Sequence, residues 1–150
     1  MSPPLNWQVL EFEQLSKELL YSILKIRQEV FAVEQHSIYL DVDGKDLGAL
    51  HVIATQDNAI YAYCRLLAPG VSYPEASIGR VLTCLESRGS GAGKLLMQFA
   101  VQRCEQHFPN TGIRISAQLY LQRFYEDFGF QVCSEPYDED GIPHIEMLKP

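Results

Sequence analysis

The spacing of hydrophobic residues changes along the chain, and this change predicts the order of strands and helices. Short runs rich in apolar, β-branched and aromatic residues, separated by turn residues, are typical of strands. Gln56, Asp57 and Asn58 lie between two such runs and predict a hairpin there. The runs that fit this description are residues 6–12, 49–55, 59–67, 77–83, 113–117, 130–134 and 142–148.

Two longer segments instead have apolar residues three or four positions apart, which is typical of amphipathic helices. The first begins after Ser16, a suitable N-cap, and its apolar stripe continues to Phe31. The second covers residues 94–108 and follows a glycine-rich turn. A shorter helix is expected over residues 119–128, with Gly129 after its last turn.

These elements predict an α/β fold of the mixed α+β kind, with a sheet of six to seven strands and helices on both faces. The chain has 150 residues, which fits a single domain over residues 1–150. No internal repeat or low-complexity stretch interrupts it.

The turn over residues 88–93, Arg-Gly-Ser-Gly-Ala-Gly, stands between a predicted strand and a predicted helix. Such a turn exposes unpaired backbone N–H groups at the positive end of a helix dipole, and these groups bind phosphate oxygens. Arg88 adds a planar charged group suited to phosphate. The alternative is a tight surface turn, since glycine often serves only that purpose.

Two well-known phosphate loops do not match this turn. A Walker loop requires a glycine five places before the Gly-Lys pair and a Ser or Thr after it. Around Gly93 and Lys94 those places hold Arg88 and Leu95. The dinucleotide fingerprint requires its third glycine at the position of Lys94. Both interpretations are therefore excluded.

The pattern formed by Arg88, Gly91 and Gly93, R/Q-x-x-G-x-G/A, resembles the pyrophosphate loop of the GNAT superfamily of N-acetyltransferases. The run from Phe124 to Phe130 resembles the family's second landmark, a helix whose tyrosine faces the thioester. Residues 30–35, 41–46 and 137–144 further resemble the ElaA-like subgroup.

This resemblance implies the acyl-CoA N-acyltransferase fold and acetyl-CoA as the cosubstrate. It implies that the pantetheine arm lies along the strand before the loop, and that the loop holds the pyrophosphate. The cofactor-binding residues expected from it are Val81, Leu82, Thr83, Arg88, Gly89, Ser90, Gly91, Ala92, Gly93, Lys94, Gln118 and Tyr125.

The resemblance also implies that Tyr125 is the general acid, because a phenol is protonated at neutral pH and can protonate a leaving thiolate. Many relatives carry a glutamate base on the strand before the loop, but residues 78–83 contain none. His144, Glu34 or a water chain ending at either is the expected substitute. Many relatives also carry an asparagine slightly upstream of the tyrosine, in contact with the cofactor, but that region here contains only Gln118 and Gln122.

The implied function is transfer of the acetyl group from acetyl-CoA to a primary amine, by direct attack in a ternary complex. The acceptor is a small molecule, a protein lysine or an N-terminus. The alternative is a non-catalytic acyl-CoA-binding sensor or interaction domain, since the strand glutamate is missing. A homodimer is possible, because an exposed edge strand can be shared.

The composition limits which classes of partner the protein is expected to bind. The net charge of −7 argues against nucleic-acid binding and suits a cationic acceptor. No membrane span or secretory signal is expected, and four scattered cysteines are typical of a reduced cytoplasm. Neither the cysteines nor the acid-rich segment 34–47 has metal-ligand spacing, so no metal is expected. That segment is interpreted as a solvated loop or a lip of the acceptor pocket.

Overall fold

A computed structural model describes residues 4–150 and contains two four-stranded sheets. The strands of the first sheet lie in chain order and pair antiparallel. They are β1 (Asn6–Glu11), β2 (Leu50–Gln56), β3 (Ala59–Leu67) and β4 (Ser77–Thr83).

The second sheet is built around the C-terminal strand β8 (Ile142–Lys149). Three strands pair antiparallel with β8, namely β5 (Ile113–Gln118), β6 (Gln131–Val132) and β7 (Tyr137–Glu139). The described residues thus contain eight strands, not six to seven. The extra strand is β7, which forms inside an acidic segment that lacks a hydrophobic alternation.

Three α-helices connect and cover the sheets: α1 (Lys17–Arg27), α2 (Ala92–His107) and α3 (Gln122–Glu126). The Ser16 hydroxyl accepts a hydrogen bond from the Leu19 amide at 3.0 Å, so the predicted N-cap of α1 is confirmed. α1 continues directly into a π-helical segment, Gln28–Glu34. Short 3₁₀ turns cover Phe12–Gln14, Lys45–Gly48, Leu85–Ser87 and Leu119–Leu121. No helix within residues 4–150 is long and apolar enough to cross a membrane.

Helices cover both faces of the first sheet, as the sequence predicts. Successive side chains of a strand point to opposite faces, so β2 and β3 contribute to two cores. Ile53 and Tyr63 pack with Ile23 of α1 on one face. On the other face α2 packs over the neighbouring strand residues, a core that includes Val52, Ala54, Ala62, Cys64, Leu96, Met97 and Ala100.

The two sheets meet where β4 and β5 begin and then separate. Ala76 and Ile113 form a parallel bridge, and the Arg114 amide donates to the Ala76 carbonyl at 2.9 Å. Further along, β4 carries an irregularity against β3, where Arg80 adopts a left-handed backbone with φ +53°. The separation leaves a wedge between the sheets that opens toward the N-terminus of α2.

Candidate functional site

A cavity of about 190 Å³ occupies the wedge between β4 and β5. The turn before α3, the hairpin of β7 and β8, and the segment after α1 complete its walls. Of the residues expected from sequence, the structure brings Val81, Gln118, Tyr125 and His144 to this wedge cavity. Side chains that the sequence did not single out also line it, including Tyr39, Ser116, Tyr120 and Glu139.

The glycine loop at the wedge mouth has the conformation that its sequence requires. Gly89 and Gly91 have φ +84° and +86°, values that residues with a Cβ rarely adopt. Gly91 is the N-cap of α2, and the first helical amide to find a partner is Leu95, which donates to the Gly91 carbonyl at 3.1 Å.

The backbone amides of Gly91, Ala92, Gly93 and Lys94 therefore donate to no residue that the structure describes. A Cβ built on Gly89 or Gly91 meets no atom within 4 Å, so the space in front of the loop is open. Unpaired amides at the start of a 16-residue helix, facing open space, fit a diphosphate group.

Ser90 stabilises the loop by hydrogen bonds within it. Its amide and its hydroxyl both donate to the Ser87 carbonyl, the amide at 3.2 Å. The Tyr61 hydroxyl lies 3.1 Å from Ser90 Oγ and completes the arrangement from β3. Both Ser90 donors are thus used inside the loop, whereas its neighbours keep theirs free. Tyr61 could not be found from sequence, because its partner lies 29 positions away.

Arg88 and Glu34 pair with each other at the rim of the wedge. Arg88 Nη1 donates to Glu34 Oε1 at 2.7 Å and Nη2 donates to Oε2 at 3.2 Å, with a third contact from Nη2 to the Thr83 carbonyl at 3.3 Å. The hydrogen bond to Glu34 raises the pKa of Arg88. Neither carboxylate oxygen of Glu34 is free, and Glu34 does not line the cavity. This geometry does not support Glu34 as a base.

Tyr125 presents a buried phenol to the wedge cavity. Its side chain packs edge-on against Phe124 and Phe130, with ring centroids 5.1 and 6.1 Å away. Only 7% of the residue is exposed, and burial raises the pKa of the phenol above its usual value. Its hydroxyl makes no hydrogen bond to a residue in the described part of the chain, so it remains a protonated donor without a partner.

His144 also lines the cavity, but both ring nitrogens are engaged. Nδ1 lies 2.7 Å from the Ile142 carbonyl oxygen, and Nε2 lies 3.2 Å from Glu139 Oε2. The ring stacks on Tyr137. The sequence alone does not indicate Glu139, because it lies in an acidic turn and reaches His144 only through the pairing of β7 with β8.

Two neighbouring residues of β4 face opposite sides of the first sheet. Val81 lines the wedge cavity, whereas the Leu82 side chain points to the opposite face and packs in the core with α1. Leu82 therefore offers only backbone groups to a ligand. Beyond the loop, a groove of about 260 Å³ runs between α2 and α3, lined by Lys94, Gln98, Phe124, Asp127 and Phe128.

The acid-rich segment is only partly the solvated loop that the sequence allows, because Leu40 and Val42 are exposed but Asp41 and Asp46 are buried. Arg27, Asp41, Asp46 and Arg65 are all buried and joined by ion pairs of 2.6–3.0 Å. This arginine–aspartate network comprises Arg27, Asp41, Asp43, Asp46, Arg65 and Arg80.

The network holds the segment beside the wedge, where Ser37 and Tyr39 form one wall of the cavity. Its carboxylates are neutralised by arginine. Within residues 4–150 no group of three or more His, Cys, Asp or Glu side chains is suited to a metal ion.

Comparison with known proteins agrees with the family resemblance inferred from the sequence. A family model described as "Acetyltransferase (GNAT) domain" matches residues 13–150. A UPF0039 protein of Synechocystis is 43% identical over 96% of this chain and 94% of its own length. The crystal structure of an acyl-CoA N-acyltransferase from Pseudomonas aeruginosa is 40% identical, with a TM-score of 0.94 over 98% of this chain and all of that one.

The crystal structure of Escherichia coli ElaA is 37% identical and has a TM-score of 0.92, covering 98% of this chain and 100% of the other. The fold expected from sequence is therefore confirmed. Because the family model covers nearly the whole chain and these relatives align from end to end, the chain belongs to the GNAT acetyltransferase family and is ElaA-like within it.

Proposed function

We propose that the protein transfers the acetyl group of acetyl-CoA to a primary amine by direct attack in a ternary complex. The observation that carries this proposal is the arrangement at the wedge: free amides of Gly91–Lys94 at its mouth and the unpaired phenol of Tyr125 inside it. The Pseudomonas aeruginosa relative, described as an acyl-CoA N-acyltransferase, supports acyl transfer from a CoA thioester.

The loop would hold the diphosphate through the amides of Gly91, Ala92, Gly93 and Lys94. Each such contact to an exposed anion contributes about 0.3–1 kcal/mol, so the affinity requires all of them together. The backbone of Val81 and Thr83 would hold the pantetheine arm along β4. This direction leads the thioester from the loop into the cavity toward Tyr125.

Tyr125 would protonate the leaving thiolate. Burial favours the neutral phenol, and no described residue competes for its proton, so it is available to the sulfur. The part of the cavity beyond Tyr125 would hold the amine.

Calorimetry with acetyl-CoA tests the binding half of the proposal. Gly91→Glu introduces a side chain at φ +86° and a negative charge where the diphosphate would lie, and we expect at least a 30-fold loss of affinity, about 2 kcal/mol. Gly70→Glu is the matched control, since Gly70 has φ +89° and the same open surroundings but lies away from the wedge. Equal affinity of both variants would refute the loop assignment.

Thiol release from acetyl-CoA tests the chemical half. Acceleration by an amine supports transfer. Tight binding without acceleration by spermidine, n-butylamine or a lysine-containing peptide would instead favour the non-catalytic acyl-CoA-binding domain, which the missing β4 glutamate suggests.

A further inference from the structure

Glu139 is a carboxylate at the wedge cavity that has no part in the acetyl transfer described above. Its side chain is 48% exposed, and the residue lines the same cavity as Tyr125. Ser116 Oγ of β5 donates to its Oε1 at 3.3 Å, and its Oε2 lies 3.2 Å from His144 Nε2 of β8. Two strands therefore hold the carboxylate in place while solvent and ligands can still reach it.

His144 fixes where the protons of this pair lie. The Ile142 carbonyl only accepts, so Nδ1 must carry a hydrogen to bond with it at 2.7 Å. Nε2 then faces a carboxylate oxygen, which is also an acceptor when ionised. Without a proton at Nε2, two lone pairs face each other at 3.2 Å and repel, and a proton taken up between Nε2 and Oε2 removes this repulsion. His144 is thus not an independent base; it and Glu139 form one site that can accept a proton.

We propose that Glu139 binds the ammonium group of the acceptor and that the Glu139–His144 pair takes up the proton which the amine must lose before it attacks. The inference rests on the proposed acetyl transfer and names its acceptor class, a cationic alkylamine. Anchoring by a carboxylate suits an ammonium group, because charge-assisted hydrogen bonds are the strong ones.

The proton and bond changes balance. The ammonium gives one proton to the pair, and the neutral nitrogen attacks the thioester carbon, forming the C–N bond. The C–S bond breaks, and the thiolate receives a proton from Tyr125. The second proton leaves the acetylated nitrogen and restores the phenol. One proton is released to solvent in each turnover.

The surroundings leave the Glu139 charge available for a ligand. No lysine or arginine within residues 4–150 pairs with Glu139. Arg80, which also lines the cavity, forms an ion pair with Asp41, with Nε 2.8 Å from Oδ1. On the other side, Arg114 is bound by Glu75 at 2.9 Å and by Glu146.

The titratable groups that face the pair are few. Tyr137 stacks on the His144 ring from β7, and Tyr73 lies close enough to interact with both Tyr137 and Glu139. Burial is the main cause that raises the pKa of Tyr73 to about 12, so this phenol stays neutral. Asp140, which also lines the cavity, adds negative charge nearby, and this favours a cationic ligand.

The test uses ¹⁵N-histidine-labelled protein titrated with n-butylamine at neutral pH, in the presence of CoA. We expect n-butylammonium to shift the His144 resonances of wild type, and Glu139→Gln to weaken this binding about 10- to 100-fold. Glu135→Gln, an exposed change in the same acidic segment, is the control and should bind as wild type does. Acetyl-CoA affinity, measured on the same samples, should be equal in all three.

Steady-state kinetics give a second test, whose result would not change if Glu139 had only a structural role. Hydroxylamine is already uncharged at neutral pH, so Glu139→Gln should lower kcat/KM for n-butylamine far more than for hydroxylamine. Equal losses for both amines, or a His144 spectrum that n-butylamine does not shift in wild type, would overturn the inference. Failure of the wild-type protein to bind acetyl-CoA would instead refute the proposed function.

Discussion

Tyr63 and Tyr125 are both buried phenols whose pKa values are raised by burial, yet their surroundings differ completely. The Tyr63 hydroxyl lies 2.7 Å from His51 Nδ1, and His51 Nε2 in turn donates to the Asp46 carbonyl at 3.0 Å. The Tyr125 hydroxyl has no such partner among the described residues. Tyr63 therefore belongs to the polar structure of the protein, and Tyr125 is available to a ligand.

The same contrast separates two larger regions. The arginine–aspartate network uses its charges on itself, with only Asp46 Oδ2 and Arg65 Nε left without a partner among its buried atoms in residues 4–150. The glycine loop and the wedge cavity instead hold free amides, a free phenol and a half-exposed carboxylate. Polar groups that satisfy one another indicate a structural role, whereas unsatisfied groups at the loop and in the cavity indicate a binding site.

The largest expected effect is on the network. Arg27→Met removes one partner of two buried carboxylates, Asp41 and Asp46, and should lower the free energy of unfolding by about 3–5 kcal/mol, because uncompensated charge remains buried. Urea denaturation measures this. Lys25→Met, an exposed change on the same helix, should alter stability by no more than about 0.5 kcal/mol. Similar stability of the two variants would mean that the network is not a structural unit.

The next effect is on catalysis. Tyr125→Phe removes only the hydroxyl and should reduce kcat about 100-fold, since general acids contribute factors of about 10²–10⁴. The Kd for acetyl-CoA and the free energy of unfolding should hardly change, because the hydroxyl has no protein partner. Steady-state thiol release and urea denaturation measure the two quantities. A large loss of stability with normal kcat would place Tyr125 with the structural groups.

The opposite outcome is expected for the paired phenol. Tyr63→Phe leaves the buried Nδ1 of His51 without a donor, which should cost about 1–3 kcal/mol of stability. Burial lowers the pKa of His51, so the ring stays neutral and cannot replace the lost bond by protonation. Activity per folded molecule should remain that of wild type. If kcat falls with stability unchanged, the distinction between the two tyrosines fails.

The smallest effect is a pH dependence of stability. Partial burial alone would raise the pKa of Asp43, but hydrogen bonds from Arg65 outweigh it and lower the pKa. A lowered folded-state pKa stabilises the protein above the unfolded value, about 3.9, and this stabilisation is lost as the pH falls below it. Urea midpoints at pH 6, 4 and 3 should therefore fall less steeply for Asp43→Asn than for wild type. Parallel curves would contradict the ionic role of Asp43.

Much of the fold could be predicted from the sequence because its signals are local. The hairpin after Gln56 follows from Asp57 and Asn58, which adopt the positive φ values of 52° and 63° that a tight hairpin needs. The glycine loop likewise carries its own conformational requirement. Strand β7 could not be foreseen, since Tyr137–Glu139 become a strand only by pairing with β8.

The site was predictable only in part, for the same reason. Tyr125 and the loop belong to short motifs. The pairing of Arg88 with Glu34 joins residues 54 positions apart, and no spacing rule could match them. Likewise, the role of Glu139 depends on a contact with His144 across a hairpin. Long-range pairing of charged side chains is what the sequence pattern does not record.

Titration of the ¹⁵N-labelled protein with acetyl-CoA tests the distinction between satisfied and unsatisfied groups most directly. The amides of Gly91, Ala92, Gly93 and Lys94 should show the largest shift changes as they gain phosphate oxygens, while those of Arg27, Asp46 and Arg65 stay unchanged. The contrary result is saturable binding of acetyl-CoA that leaves the four loop amides unmoved, which would show that the diphosphate lies elsewhere.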